Sequence, residues 1–258
     1  VSEIKAPEYL SPSSISTFRQ CPLKFKYNKI DKLPDPSNHW AVLGNFVHDV
    51  LEEMYKLAPE LRTIDACKVI ARQIWNEEWK EKAESTITHG DSLVKFMERA
   101  WSCIENLWKI ENPVDTHPEG LEYELNGFVG GVRMKGFIDR YSYSEGTTML
   151  VVSDYKTGKT PKYDVEEKFK QLLIYAELLQ SLEVGSVDKI ELLYLKDGVK
   201  LEKKVSVDNL KQTVEMIQQA KSDIDDACRT GVFPPIKSGL CMFCSYKKIC
   251  PIWNKGVK

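Results

Sequence analysis

The chain has 258 residues, enough to bury a sizeable core as one large domain or as a core with an inserted subdomain. With 42% hydrophobic and 29% charged residues it has the balance of a globular protein; no apolar run of membrane-spanning length and no secretory leader is expected. A net charge of −2 excludes a surface coated in positive charge, so any nucleic-acid path must be a local groove set against acid elsewhere.

Residues 11–30, SPSSISTFRQCPLKFKYNKI, open on helix-capping serines with Pro12 at a first turn. Past a loop holding Pro34 and Pro36, the run from Trp40 to Ala58 spaces Leu43, Val47, Val50, Leu51, Met54 and Leu57 as one helical stripe. Stretches 61–82 and 91–111 read as two more amphipathic helices; their Trp75, Trp79, Trp101 and Trp108 sit at spacings that suit burial. An N-terminal segment, 1–39, is thus followed by a helical subdomain, 40–117. The connector NPVDTHPEG leads into three strands, LEYELNGFV, VRMKGFIDRYSY and TMLVVSDYK. Next come a helix, VEEKFKQLLIYAELLQSL, a strand at KIELLYL, a hairpin turn at Asp197-Gly198, a strand at KLEKKVSV and a helix over 208–229. This order is mixed α/β, with helices inserted ahead of a sheet-bearing core, 118–235, and a cysteine-rich tail, 236–258.

In VVSDYKTGKTPKY an apolar strand runs into Asp154 and Lys156, two apart and so on one face. If the preceding turn is centred on Glu145-Gly146, position 139 faces 152 and Asp139 joins that face; a register one residue different would destroy this. A Gly130-Gly131 turn would also bring Glu122 opposite Asp139, whereas a turn at Asn126-Gly127 would not. Carboxylates on neighbouring strands repel, more so when buried, and a hard divalent cation relieves the conflict. Mg²⁺ takes oxygen ligands, and Mn²⁺ accepts an imidazole as well. Such an ion polarises a phosphoryl oxygen, with Lys156 placed to neutralise developing charge. A structural Asp154–Lys156 ion pair is the alternative.

The chain's seven cysteines are unevenly placed. Cys67, Cys103 and Cys228 stand alone in helical stretches, as small core hydrophobes do. Cys241, Cys244 and Cys250 form C-x2-C-x5-C, and Cys21, followed by proline as Cys250 is, offers a fourth thiolate. Four cysteines suit zinc or an iron–sulfur cluster, and a reducing, cytoplasmic setting fits either.

The segment GFIDR followed by VVSDYKTG resembles the D-x(n)-D-x-K core of the PD-(D/E)XK nucleases, in their RecB-like branch. There a helical G-x-x-x-H precedes the acids, and GNFVH supplies Gly44 and His48. The cysteine pattern resembles that of the iron–sulfur members, the CRISPR-associated RecB-family exonucleases and AddB-type helicase–nuclease subunits. The resemblance implies an α/β restriction-endonuclease-like core with a mixed sheet, a helical insertion, and a 4Fe–4S cluster on Cys21, Cys241, Cys244 and Cys250. That cluster would clasp the N- and C-terminal segments, closing a long loop. Also implied are His48, Asp139, Asp154 and the main-chain carbonyl of Tyr155 as ligands of Mg²⁺ or Mn²⁺, with Lys156 assisting the attacking water. Gln171 and Tyr175 of QLLIY, one helical turn apart on one face, match a Q-x-x-x-Y that holds substrate or site.

The expected activity is that of a metal-dependent deoxyribonuclease, an exonuclease on single-stranded DNA or DNA ends with 5′→3′ polarity by analogy. Its setting would be repair, recombination or phage DNA processing in a cytoplasm, with a helicase or recombination protein as a partner. Competing readings are a non-catalytic DNA-binding subunit of a helicase–nuclease complex and a CRISPR prespacer-trimming nuclease. Phosphate contacts are expected from Lys24 and Lys26 beside Phe25 and Tyr27, and from Lys159 and Lys162 after the acidic strand. Lys29, Lys247 and Lys248 are further candidates.

Overall fold

The computed structural model describes residues 4–36, 38–87 and 91–254. Five strands, β1 (Pro118–Val129), β2 (Val132–Tyr143), β3 (Leu150–Lys156), β4 (Val187–Tyr194) and β5 (Val199–Lys204), lie across one sheet in sequence order. Neighbours are antiparallel except β3 and β4, which run parallel. A parallel pair needs a long crossover, and a helix over Val165–Ser181 supplies it.

The helices in chain order are α1 (Pro12–Gln20), α2 (Pro22–Phe25), α3 (His39–Lys56), α4 (Ile64–Ile74), α5 (Lys80–Glu84), α6 (Leu93–Ile110), the crossover helix α7, and α8 (Val207–Thr230). Short polar side chains start most of them. Ser11, Asn38, Thr63, Ser92 and Ser206 each accept a first-turn backbone N–H, meeting donors that have no partner within the helix. The helix expected over 61–82 is interrupted by a π turn, Trp75–Trp79, whose two tryptophans both pack on Phe46.

Two apolar cores sandwich the sheet. One gathers Ile15, Leu172, Leu179, Ile217 and Ile224 of α1, α7 and α8 against Leu125, Met134, Ile138, Val152 and Ile190. The other gathers Val47, Leu51, Ala71 and Ile104 of the inserted helices against Tyr155, Leu193 and Leu195. Covered on both sides, β3 is buried at every position but Lys156, which is why it reads as an apolar run rather than an alternation. Among the described residues, no helix is long and apolar enough to cross a membrane.

The turn between β1 and β2 is Gly130-Gly131, both at positive φ, so Val129 faces Val132 and Asn126 lies mid-strand opposite Lys135. The connection from β2 to β3 is longer than a tight turn at Glu145-Gly146 would be. Tyr143 faces Leu150 and Arg140 faces Ser153, two residues away from the expected register. A shift of two keeps the faces. Continued by one pair, it sets Asp139 across from Asp154 rather than from Val152.

Candidate metal centre

The acids of β1 and β2 lie at a local break in the pleat. In β2, Met134 and Ile138 enter the core under α7, yet Arg140 projects to the opposite side, beside the Tyr55 and Tyr155 rings. In β1, Leu125 belongs to the α7 core whereas Leu121 packs into the other. Both alternations invert where Glu122 meets Asp139, and Glu122 takes a left-handed φ of 41°. The β2–β3 pairing ends at Arg140 and Ser153, and the next free amide, Tyr155 N–H, donates to Asp139 Oδ2 at 2.7 Å. A side chain thus completes the ladder and holds the carboxylate at the strand mouth.

His48, in the third turn of α3, closes the group. Its Nδ1 lies 3.5 Å from Asp139 Oδ2 and 3.7 Å from Glu122 Oε1, and its Nε2 is 3.1 Å from the Tyr155 carbonyl oxygen. One ligand atom from each of His48, Glu122 and Asp139 falls within 4.8 Å of the others, the spacing of a metal site. Burial opposes charge on the imidazole, but Asp139, Glu122 and Asp154 outweigh it and raise the His48 pKa to about 9. The ring is therefore cationic at neutral pH, and both its nitrogens are donors. Asp139 is itself pushed up, by burial and by the Asp154 charge.

Asp154 is 3% exposed. Its Oδ2 lies 2.5 Å from Lys156 Nζ, and its Oδ1 accepts from Gln171 Nε2 at 3.4 Å. Burial lowers the Lys156 pKa but Asp154 and Asp139 raise it further, so the ammonium stays charged. Gln171 also donates to Tyr175 Oη at 3.0 Å. That hydroxyl comes close because β2 has a glycine below it: a Cβ on Gly136 would fall 2.6 Å from the Tyr175 ring. All seven side chains singled out around the acids therefore lie in one neighbourhood. The tightest ligand set has Glu122 where Asp154 was expected, since Asp154 is engaged by Lys156 and Gln171.

Behind β3 runs a buried polar network that no motif announced. Arg140, 2% exposed, forks onto Glu111 (Nη2 to Oε2, 2.8 Å) and reaches Tyr155 Oη and Ser153 Oγ, each at 3.3 Å. Tyr55 donates to the same Glu111, and Ser153 donates to Glu191 Oε2 at 3.1 Å. The network ties α3, α6, β2, β3 and β4 together around the residues flanking Asp154. Its one sequence signal is an arginine next to Asp139 in an apolar strand, a charge that needs a buried partner.

Cys21, Cys241, Cys244 and Cys250 line a single cavity of about 260 Å³. The tail is fastened over it: Tyr246 Oη donates to the Leu33 carbonyl at 3.1 Å and its ring meets Tyr27 edge-on at 5.4 Å. The backbone N–H of Ser238 pulls the Cys241 thiol below its usual pKa. The remaining cysteines behave oppositely, burial pushing Cys67 up to about 12 and Cys103 up to about 11, as for inert core thiols. Of the lysines expected on DNA, Lys159 and Lys162 are exposed on the loop after β3, which is pinned where Thr160 N–H donates to Asp197 Oδ2 at 2.6 Å. Lys26 is paired with Asp31 at 2.7 Å, and Lys24 lines the cysteine cavity. Trp79 is buried, donating to Asp49, while Trp75, Trp101 and Trp108 pack against the helical core.

Similarity to known proteins agrees with this architecture. The Gene 69 protein of Mycobacterium phage L5 is 24% identical over 286 aligned residues, covering 95% of this chain and 96% of its own. Its counterpart in Mycobacterium phage D29 is 25% identical, covering 98% of this chain and 100% of its own. A solved Eubacterium rectale protein, described as a candidate exonuclease, superposes with a TM-score of 0.58 at 14% identity over 97% of this chain and 94% of that one, a likeness of fold. The family model of the PD-(D/E)XK nuclease superfamily matches residues 9–251, taking in the G-x-x-x-H helix, both aspartate strands and the cysteine tail; the chain belongs to that superfamily.

Proposed function

We propose that the chain is a Mg²⁺- or Mn²⁺-dependent deoxyribonuclease of the RecB-like iron–sulfur type that shortens single-stranded DNA from an end, with 5′→3′ polarity. The observation that carries this reading is the convergence of His48, Glu122 and Asp139 within 4.8 Å beside the Asp154–Lys156 pair. A scaffold has no use for several carboxylates crowded at a strand mouth, where their repulsion opposes folding. The two phage relatives favour phage DNA processing as the setting.

The donor set fits a hard divalent ion. His48, Glu122 and Asp139 would hold it, with Asp154 and the Tyr155 carbonyl as further oxygen donors, and the single imidazole suits Mn²⁺ as well as Mg²⁺. When bound, the ion supplies Lewis acidity at the scissile phosphate. Lys156, held by Asp154, directs its ammonium at the phosphoryl oxygens as negative charge builds. Gln171 fixes Asp154, and Tyr175 fixes Gln171, so the pair keeps one orientation. Lys159 and Lys162, on the pinned loop beside Lys156, meet flanking phosphates. Cys21, Cys241, Cys244 and Cys250, which line one cavity, would hold a 4Fe–4S cluster, which when bound supplies a cross-link between the N-terminal helices and the tail.

The test is cleavage of end-labelled single-stranded DNA by anaerobically purified protein with Mn²⁺, beside Asp154→Ala and Lys156→Ala. Shortening that needs metal and is lost in both variants is expected, with 5′-label released first. DNA binding without metal-dependent cutting would sink the enzyme.

A further inference from the structure

The face of α3 that carries His48 continues past the metal centre. Trp40, Gly44 and His48 recur at four-residue steps, so they line one side of the helix over roughly 12 Å of rise. His48 meets the Tyr155 carbonyl, and a Cβ on Gly44 would sit 3.4 Å from Thr157 Oγ1, so this side of α3 tracks the end of β3 residue by residue. One step further, Trp40 is 56% exposed.

That ring is nonetheless held in place and surrounded by charge. The Arg99 guanidinium lies 5.4 Å from its centroid and Lys196 Nζ 5.6 Å from it. His39 meets it edge-on at 5.4 Å, and Arg99 is itself anchored by Asp91 at 2.6 Å. Trp40, Arg99, Thr157 and Lys196 line one cavity of about 290 Å³. Lys156, the residue before Thr157, lines a second groove of about 630 Å³ with Arg19, Lys168 and Lys170. Two cation-bearing grooves therefore flank the strand mouth.

An exposed aromatic ring with cations beside it is the chemistry that grips unpaired nucleotides: the ring stacks a base of any identity, and the cations meet its phosphates. A duplex, whose bases are already stacked, gains nothing from such a platform. We propose that Trp40, flanked by Arg99 and Lys196, stacks a base of the single-stranded substrate a short run of nucleotides from the scissile phosphate. This rests on the nuclease reading for its register and adds a substrate-positioning residue on the single-strand path.

The test uses the whole chain and fluorescently labelled oligothymidylates, intact or with one abasic site at successive positions, with affinity read by anisotropy in Ca²⁺. Trp40→Ala should weaken binding of the intact strand about tenfold, and Trp40→Phe should restore most of it. One abasic position should erase the difference between wild type and Trp40→Ala, which a merely structural tryptophan would not do. In wild-type protein, an iodouracil at that same position should photocross-link to Trp40. Unchanged affinity in Trp40→Ala, an equal penalty at every abasic position, or cross-links that avoid Trp40 would each overturn the platform. Mn²⁺-dependent cleavage is scored separately: Trp40-dependent binding without cleavage overturns the nuclease while supporting the platform.

Discussion

His48 concentrates the electrostatics of the site. Its pKa of about 9 exceeds the ordinary 6.5, so the folded protein holds a proton that the unfolded chain has released. Its stabilising contribution is complete below pH 6.5 and is lost as pH rises through about 9. Asp139 acts in the same direction, because a carboxyl with a raised pKa costs stability as it ionises. Chelator-treated protein should therefore show a Tm that falls from pH 6.5 to 9, and His48→Gln should flatten the curve. A Tm that stays level in the wild type would mean that the imidazole is not the cation described here. Mn²⁺ at the proposed centre would have to displace that proton, so metal affinity should rise over the same range.

At the level of elements, the site is a strand mouth braced from behind. The alternation of β1 and β2 inverts at Glu122 and Asp139, whose carboxylates both lie beside His48 of α3, and the Arg140 network fixes β3 next to them. Removing the guanidinium leaves the largely buried Glu111 carboxylate with, among the described residues, the Tyr55 hydroxyl as its remaining side-chain partner. Arg140→Ala should cost about 3–5 kcal/mol in denaturant unfolding, the penalty of breaking a buried pair. Replacing Arg140 and Glu111 together by apolar residues should cost much less. If the single variant is as stable as wild type, the network does not brace the site.

At the scale of the whole molecule, the N-terminal helices meet the cysteine-bearing tail. Cys21 and the tail cysteines stand far apart in sequence yet line one cavity, and Tyr27 and Tyr246 pack beside it. A cross-link between positions 21 and 241 constrains most of the unfolded chain, worth on the order of 5 kcal/mol on chain-entropy grounds. On the proposed cluster reading, anaerobically purified protein should be brown, and Cys244→Ala should abolish that colour and lower its unfolding midpoint, with protease reaching the tail first. Colourless, zinc-loaded wild type would replace the cluster by zinc and leave the clasp in place.

What could be read in advance follows from which forces are local. Helical stripes, capping serines, the Gly-Gly turn and the apolar run of β3 are set by neighbours a few residues away, so α3, β1 to β4, α7 and α8 were recognisable from spacing. Asp139, Asp154 and Lys156 could be placed on one face because an error of two in the β2–β3 register preserves parity. Resemblance, not periodicity, supplied His48, Gln171 and Tyr175, since a lone polar residue on a helix has no partner in its own segment. Tertiary contacts alone decided the rest. The inversion at Glu122 and Asp139 needs both strands at once, the partner of Arg140 caps the end of α6, and the exposure of Trp40 depends on how the helices around it pack. Local patterns set where each element begins and which face it buries; distance-dependent electrostatics and packing between elements set where their polar groups meet.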